Sequence, residues 1–254
     1  MSVSAPTLVG NFYDIDNTNP YNSNDATNSS GAFTFAMVSG RRYYVLIHSY
    51  SAGAAELATS VVFDPGGADQ SSFIKVTDGT DNAESTGTMG NTGDTFQLWY
   101  FDATTNTGTS FLRVTFGATQ SAAGFGVFYV TGYNTGTGAS AHPQVVIANG
   151  TSASASVTFG SAPASDSLTL LCVGINNPTG TVTPDESRTE LYENDESERN
   201  NHALHYQAGA TDTTLTATLD TSQAWVAFAI EVAAAGAAAT VHPWFFTRQR
   251  VLNG

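Results

Sequence analysis

One cysteine, Cys172, in 254 residues excludes an internal disulfide. It sits in the apolar run 168–175, where a thiol acts as a small hydrophobe. A reactive thiolate needs a basic, polar setting that this run lacks. Lysine is equally scarce. Lys75 is the only one, and 8 basic residues stand against 22 acidic ones for a net charge of −14. Phosphate binding draws on Lys and Arg, and anionic membrane surfaces repel such a chain. Neither nucleic acid nor membrane is therefore expected as a partner, and the charge serves solubility at high local concentration. No stretch approaches the ~18 apolar residues that cross a bilayer. The opening Met1-Ser-Val-Ser-Ala-Pro6 has no basic or apolar signal region, so no signal peptide is expected. No segment carries a capped helical period. The Ala run at 233–239 is broken by Gly236 and reads as a linker. There is no G-x-S-x-G, no Walker loop and no G-x-G-x-x-G opening a helix. Phosphate cradles use helix N-termini, so no cofactor is expected.

What the sequence does hold is strand material. Gly, Ser, Thr, Asn and Ala supply most of its surface, and charged residues are only 12% of it. Thr suits strands, while Gly and Asn suit turns. Residues 1–31 are rich in Asn, Asp and Ser and read as loop. From residue 32, short runs rich in Val, Phe, Tyr, Leu and Thr recur between turn residues. They predict strands at 32–38, 42–50, 57–63, 72–77, 95–101, 109–116 and 124–132. A second set follows at 144–148, 155–160, 167–175, 188–193, 202–207, 213–219 and 224–232. This is the signature of an all-β antiparallel sandwich, jelly-roll-like, spanning 32–232.

A weak internal two-fold repeat accompanies it. Residues 43–50 pattern like 168–175, 96–100 like 202–206, 110–116 like 213–219 and 124–130 like 224–230, in the same order. One interleaved sandwich is the preferred arrangement over two small ones joined at 133–143. Each half alone would leave a large apolar face exposed.

Candidate functional residues are few. The C-terminal arm, 240–254, concentrates Trp244, Phe245, Phe246, Arg248 and Arg250 in an otherwise acidic chain. Trp and Arg are typical interface anchors, and the arm is expected to dock on a neighbouring subunit or a shell. Glu193-Asn-Asp-Glu-Ser-Glu198 resembles the E-x-D-x-x-E motif of laminarinase-like glycoside hydrolases. A retaining mechanism needs two carboxylates about 5 Å apart on a rigid strand, whereas polar residues intervene here and the segment reads as loop. The same loop, chiefly Asp195, Glu196 and Glu198, offers oxygen ligands of the kind calcium takes, without EF-hand spacing. His202 and His205, three apart on a strand, point to opposite faces. His48, His142 and His242 are scattered, so no transition metal is expected. Trp99 and Trp225 fall in apolar runs and read as core, which leaves no defined glycan platform, although a glycan partner stays open.

Several of these segments together resemble a β-sandwich family found among tailed-phage virion proteins and bacterial surface proteins. They are Phe96-Gln-Leu-Trp-Tyr100, the strand 124–130, Gly174-Ile-Asn-Asn-Pro-Thr-Gly180, Arg188-Thr-Glu-Leu-Tyr192 and Ser222-Gln-Ala-Trp-Val226. The resemblance covers about residues 32–232. It implies a concanavalin- or jelly-roll-like sandwich displayed on a particle, without catalysis. The expectation is a capsid decoration protein on the virion surface, associating with itself and with the major capsid protein. A glycan-binding tail or surface adhesin is the alternative, followed by a sandwich-type hydrolase.

Overall fold

The computed structural model describes residues 2–14, 19–24, 32–64, 66, 67, 70–90, 92–177, 179–185, 187–194 and 201–236. The chain is all-β with antiparallel pairing throughout, as the sequence predicts. Its first half contains β1 (Thr7–Asp14), β2 (Tyr21–Asn22), β3 (Phe35–Ala36), β4 (Arg41–Tyr50), β5 (Ala58–Phe63) and β6 (Ser71–Ser72). It continues with β7 (Ile74–Lys75), β8 (Glu84–Thr86), β9 (Asp94–Ala103), β10 (Thr109–Ser110), β11 (Leu112–Phe116) and β12 (Ala122–Val130). The second half contains β13 (Val145–Thr158), β14 (Leu168–Ile175), β15 (Val182–Pro184), β16 (Thr189–Asn194), β17 (Asn201–Ala208) and β18 (Thr214–Val232).

The expected interleaving of the halves does not occur. First-half strands form a sheet in the order β1-β12-β4-β9-β7, with β8 also on β9, and a smaller sheet β2-β11-β5-β6. Second-half strands form β13-β18-β14-β17-β16, with β15 on β18. The pairing pattern recurs. β4 lies between β12 and β9, as β14 lies between β18 and β17. The apolar face that each half would expose alone is covered by the other half rather than by shared strands.

Three apolar clusters follow from this stacking. The central one joins the halves and holds Tyr44, Leu46, Phe96, Leu98 and Phe128 from the first with Leu170, Cys172, Leu204, Phe228 and Ile230 from the second. The opposite face of the first sheet turns Tyr43, Val45, Ile47 and Trp99 onto Val61, Phe63, Val114 and Phe116 of the smaller sheet. The opposite face of the second sheet turns Leu171, Val173, Ile175 and Ala229 onto Val157, Leu215 and Leu219. Strands in the middle are thus buried on both sides, which is why 43–47 and 168–175 are continuous apolar runs rather than alternating ones. The outer strands face solvent on one side and alternate. In β11, Leu112, Val114 and Phe116 are buried, while Arg113 and Thr115 are only partly so. Each large side chain enclosed in this way contributes roughly 1.5–3 kcal/mol.

Other expectations need correction. The segment 1–31, read as loop, contains β1 and β2. Phe12, Tyr13 and Tyr21 are buried, and β1 completes the edge of the first sheet against β12 with a register shift between Leu8 and Gly10. That shift breaks the alternation on which a sequence pattern depends. The predicted strands 144–148 and 155–160 are one strand, as are 213–219 and 224–232. The two long strands pair along their length and carry the chain from the middle layer to the outer one through an irregularity between Ser152 and Ser154. The joint at 133–143 is packed rather than loose. Ala141 and His142 are fully buried, and Asn134 N donates to Ala233 O while Ala235 N donates to Gly132 O. The start of the predicted 233–239 linker is therefore held, and its end lies outside the described residues.

Candidate functional site

The seam between the halves is shaped by glycines. A side chain at Gly126 would collide with the Tyr192 hydroxyl. One at Gly124 would lie 3.1 Å from His202 and 3.2 Å from Asn194, and one at Gly174 would lie 3.0 Å from Met89 Sδ and 3.3 Å from Phe96. These strand glycines, which otherwise weaken a sheet, admit bulky groups from the opposite half. The Gly124-Phe-Gly126 spacing is thus a packing feature.

At one end of the seam lies a buried cation. Arg42 on β4 is fully excluded from solvent. Its Nε and Nη2 donate to Asp102 of β9 at 2.6 and 2.8 Å, and Nη2 also donates to Asn134 O at 2.8 Å. The guanidinium lies 4.7 Å from the Tyr100 ring centroid and 4.4 Å from that of Tyr133. Burial opposes its charge, but Tyr44 and the Asp102 carboxylate more than offset that, and its pKa moves up. Tyr44 Oη and His142 Nε2 are 3.0 Å apart. Burial, then Arg42, holds His142 well below its usual range. Burial pushes Tyr44 up. The neutral phenol and neutral imidazole share one hydrogen bond, whose direction is set by the imidazole tautomer. Through Arg42, the connection at 134–136 is tied to the first sheet.

Beside this cluster is an open groove of about 250 Å³, lined by Ser72, Ile74, Tyr100, Phe101, Asp102 and Thr137. Ile74, on the short edge strand β7, is 48% exposed. The adjoining Lys75 is engaged by Glu84 and lies 5.5 Å from the Trp99 ring centroid.

Further along the seam, His48 of β4 and His202 of β17 meet with ring centroids 5.8 Å apart. Both are 2% exposed. Phe96 packs on both rings, and Tyr192 stands edge-on to His202 at 5.7 Å. A small pocket of about 10 Å³, space for roughly one water, lies among them, lined also by Tyr13, Asn194 and the small residues 122–124. Burial, then the neighbouring His202, lowers His48 well below 6.5, and burial lowers His202 to about 3. Sequence reasoning missed this pair because its members lie far apart in the chain. The one signal was a histidine inside the apolar run 43–50. As expected, His205 points to the other face of its strand. It is also buried, and its pKa is lowered to about 4 by burial first.

Most of the residues favoured from sequence lie outside the described residues: Trp244, Phe245, Phe246, Arg248 and Arg250, and also Asp195, Glu196 and Glu198. Glu193, expected in a loop, is on β16, where its Oε1 accepts from Val182 N and Asn201 Nδ2, each at 2.7 Å. Asp185 accepts from Ser187 and Thr216. Among the described residues, no three or more His, Cys, Asp or Glu are grouped to hold a metal ion. Trp99 and Trp225 are each 6% exposed and lie in the outer cores, as read from the sequence. No family model, curated protein or solved structure matches the chain.

Proposed function

We propose that this is a non-enzymatic structural protein of a phage virion, a capsid decoration protein. In this reading residues 240–254 hold it to the particle or to a neighbouring subunit, with Trp244, Phe245, Phe246, Arg248 and Arg250 as anchors. The supporting observation is where residues 233–235, which precede the arm in sequence, are held. Residues 233–235 are pinned to 132–141. Tyr133 stacks on Arg42, and Asp102, the partner of Arg42, lines the open apolar groove. Residues 233–235, the last described stretch before the arm in sequence, and an exposed apolar groove therefore lie toward one end of the molecule. Trp and Arg on such an arm are suited to anchoring, and the acidic body limits unwanted association.

The test is a chain ending at residue 239. It should fold normally, with unchanged strand signal and unfolding midpoint, yet be absent from particles purified from its source. Quantitative mass spectrometry of those particles should find the full chain in hundreds of copies, in fixed ratio to the shell protein. Normal incorporation of the truncated chain would refute the anchoring role, and absence of the full chain from the particles would refute the location.

A further inference from the structure

We propose that His48 and His202 form an acid-sensitive latch on the seam between the two halves. Neutral imidazoles keep it closed, and protonation parts the facing sheets before the sheets themselves are lost. The argument starts from position. His48 continues the seam-facing row Tyr44–Leu46 of the first half, and His202 begins the row with Leu204 in the second. Charging both rings places two cations with centroids 5.8 Å apart across the joint, with room beside them for only about one water.

The described groups nearest the rings are mostly uncharged. The first sheet presents Phe96 from β9, Tyr13 from β1 and the small residues 122–124 from β12. The second presents Asn194 and Tyr192 from β16 and the Asn201 backbone beside His48. Among the described residues, the titratable groups at the pair are Tyr13, Tyr192 and the histidines themselves, with the buried Asp94 two residues from Phe96 along the same face of β9. The nearby carboxylate of Glu193 is taken by Val182 N and Asn201 Nδ2. Gly124 leaves the rings only the space of the small pocket.

The sign follows from burial. Both groups titrate lower in the closed state than in the open one, so closure is favoured above about 6.5 and weakens as pH falls below it. At about pH 5, each imidazole kept neutral by closure raises the opening constant by about 30-fold, and the pair by about 1,000-fold.

Cys172 supplies the reporter, because its side chain is fully buried in the same seam. Its labelling by a dipyridyl disulfide, which reacts in acid, is followed against pH beside far-ultraviolet circular dichroism. The latch predicts labelling that accelerates below about pH 6.5 while the strand signal persists. It predicts that the His48→Gln/His202→Gln double variant loses most of this acceleration, the remainder coming from the buried His142 at the other end of the seam. His205→Gln, on the outer face of the same strand, should keep it. Should the double variant fail to fold, the wild-type comparison of labelling with strand signal decides alone. Labelling and strand signal lost together overturns the proposal, as does an unchanged profile in a folded double variant.

Discussion

Replacing Asp102 by Ala tests how the buried Arg42 is held. The guanidinium is fully buried, and two of its nitrogens donate to this carboxylate at 2.6 and 2.8 Å. After the substitution it keeps Asn134 O at 2.8 Å and the faces of Tyr100 and Tyr133. Its Nη1 has no partner among the described residues even before the change. Cation–π contacts of about 1–2 kcal/mol do not replace a carboxylate. Breaking a buried pair costs about 3–5 kcal/mol. Asp102 retains 22% exposure, so water reaches the gap and the expected loss is at the low end, about 3 kcal/mol. Arg42→Met removes the stranded charge. The double variant Arg42→Met/Asp102→Ala should therefore be less destabilised than the sum of the singles, with a coupling of about 2 kcal/mol. Urea unfolding near neutral pH measures all four proteins, with constant slopes confirming one transition. A loss below about 1 kcal/mol for Asp102→Ala, or additive singles, would show that the pair behaves as a surface ion pair and would refute the reasoning.

Two further outcomes follow from the seam. Gly126→Ala should destabilise by about 1–3 kcal/mol, because its new methyl meets the Tyr192 hydroxyl. Tyr192→Phe, which removes a buried oxygen without a partner among the described residues, should be close to neutral by itself but should rescue Gly126→Ala little, because the methyl still meets the ring carbons Cζ and Cε1. Tyr192→Leu, which removes the ring, should rescue more in thermal unfolding. Cys172 is fully buried, and burial pushes its thiol pKa up. At neutral pH it should resist an aromatic disulfide reagent in the native protein and react at the rate of unfolding. Complete labelling within minutes of a protein with native fluorescence would contradict its place in the central core.

The all-β class was legible in the sequence because it rests on local chemistry. Short Val-, Phe- and Thr-rich runs between turn residues form strands with little tertiary help, and β4, β9, β14 and β17 fall where those runs stand. So was the inert placing of Cys172, Trp99 and Trp225. The runs 43–47 and 168–175 lie on strands buried on both faces, which is what a nearly continuous apolar run accompanies. Which faces meet was not legible. The sequence does not say that Gly126 receives Tyr192, that Arg42 clamps the connection at 134–136, or that His48 meets His202. Nor do alternation counts find β1, whose pattern is broken by its own register shift. The physical reason is range. Strand propensity and turn chemistry act over a few residues and are written locally. The seam depends on shape and desolvation between groups from 66 positions apart (Gly126 and Tyr192) to 154 apart (His48 and His202), and only the stacked tertiary structure brings those together.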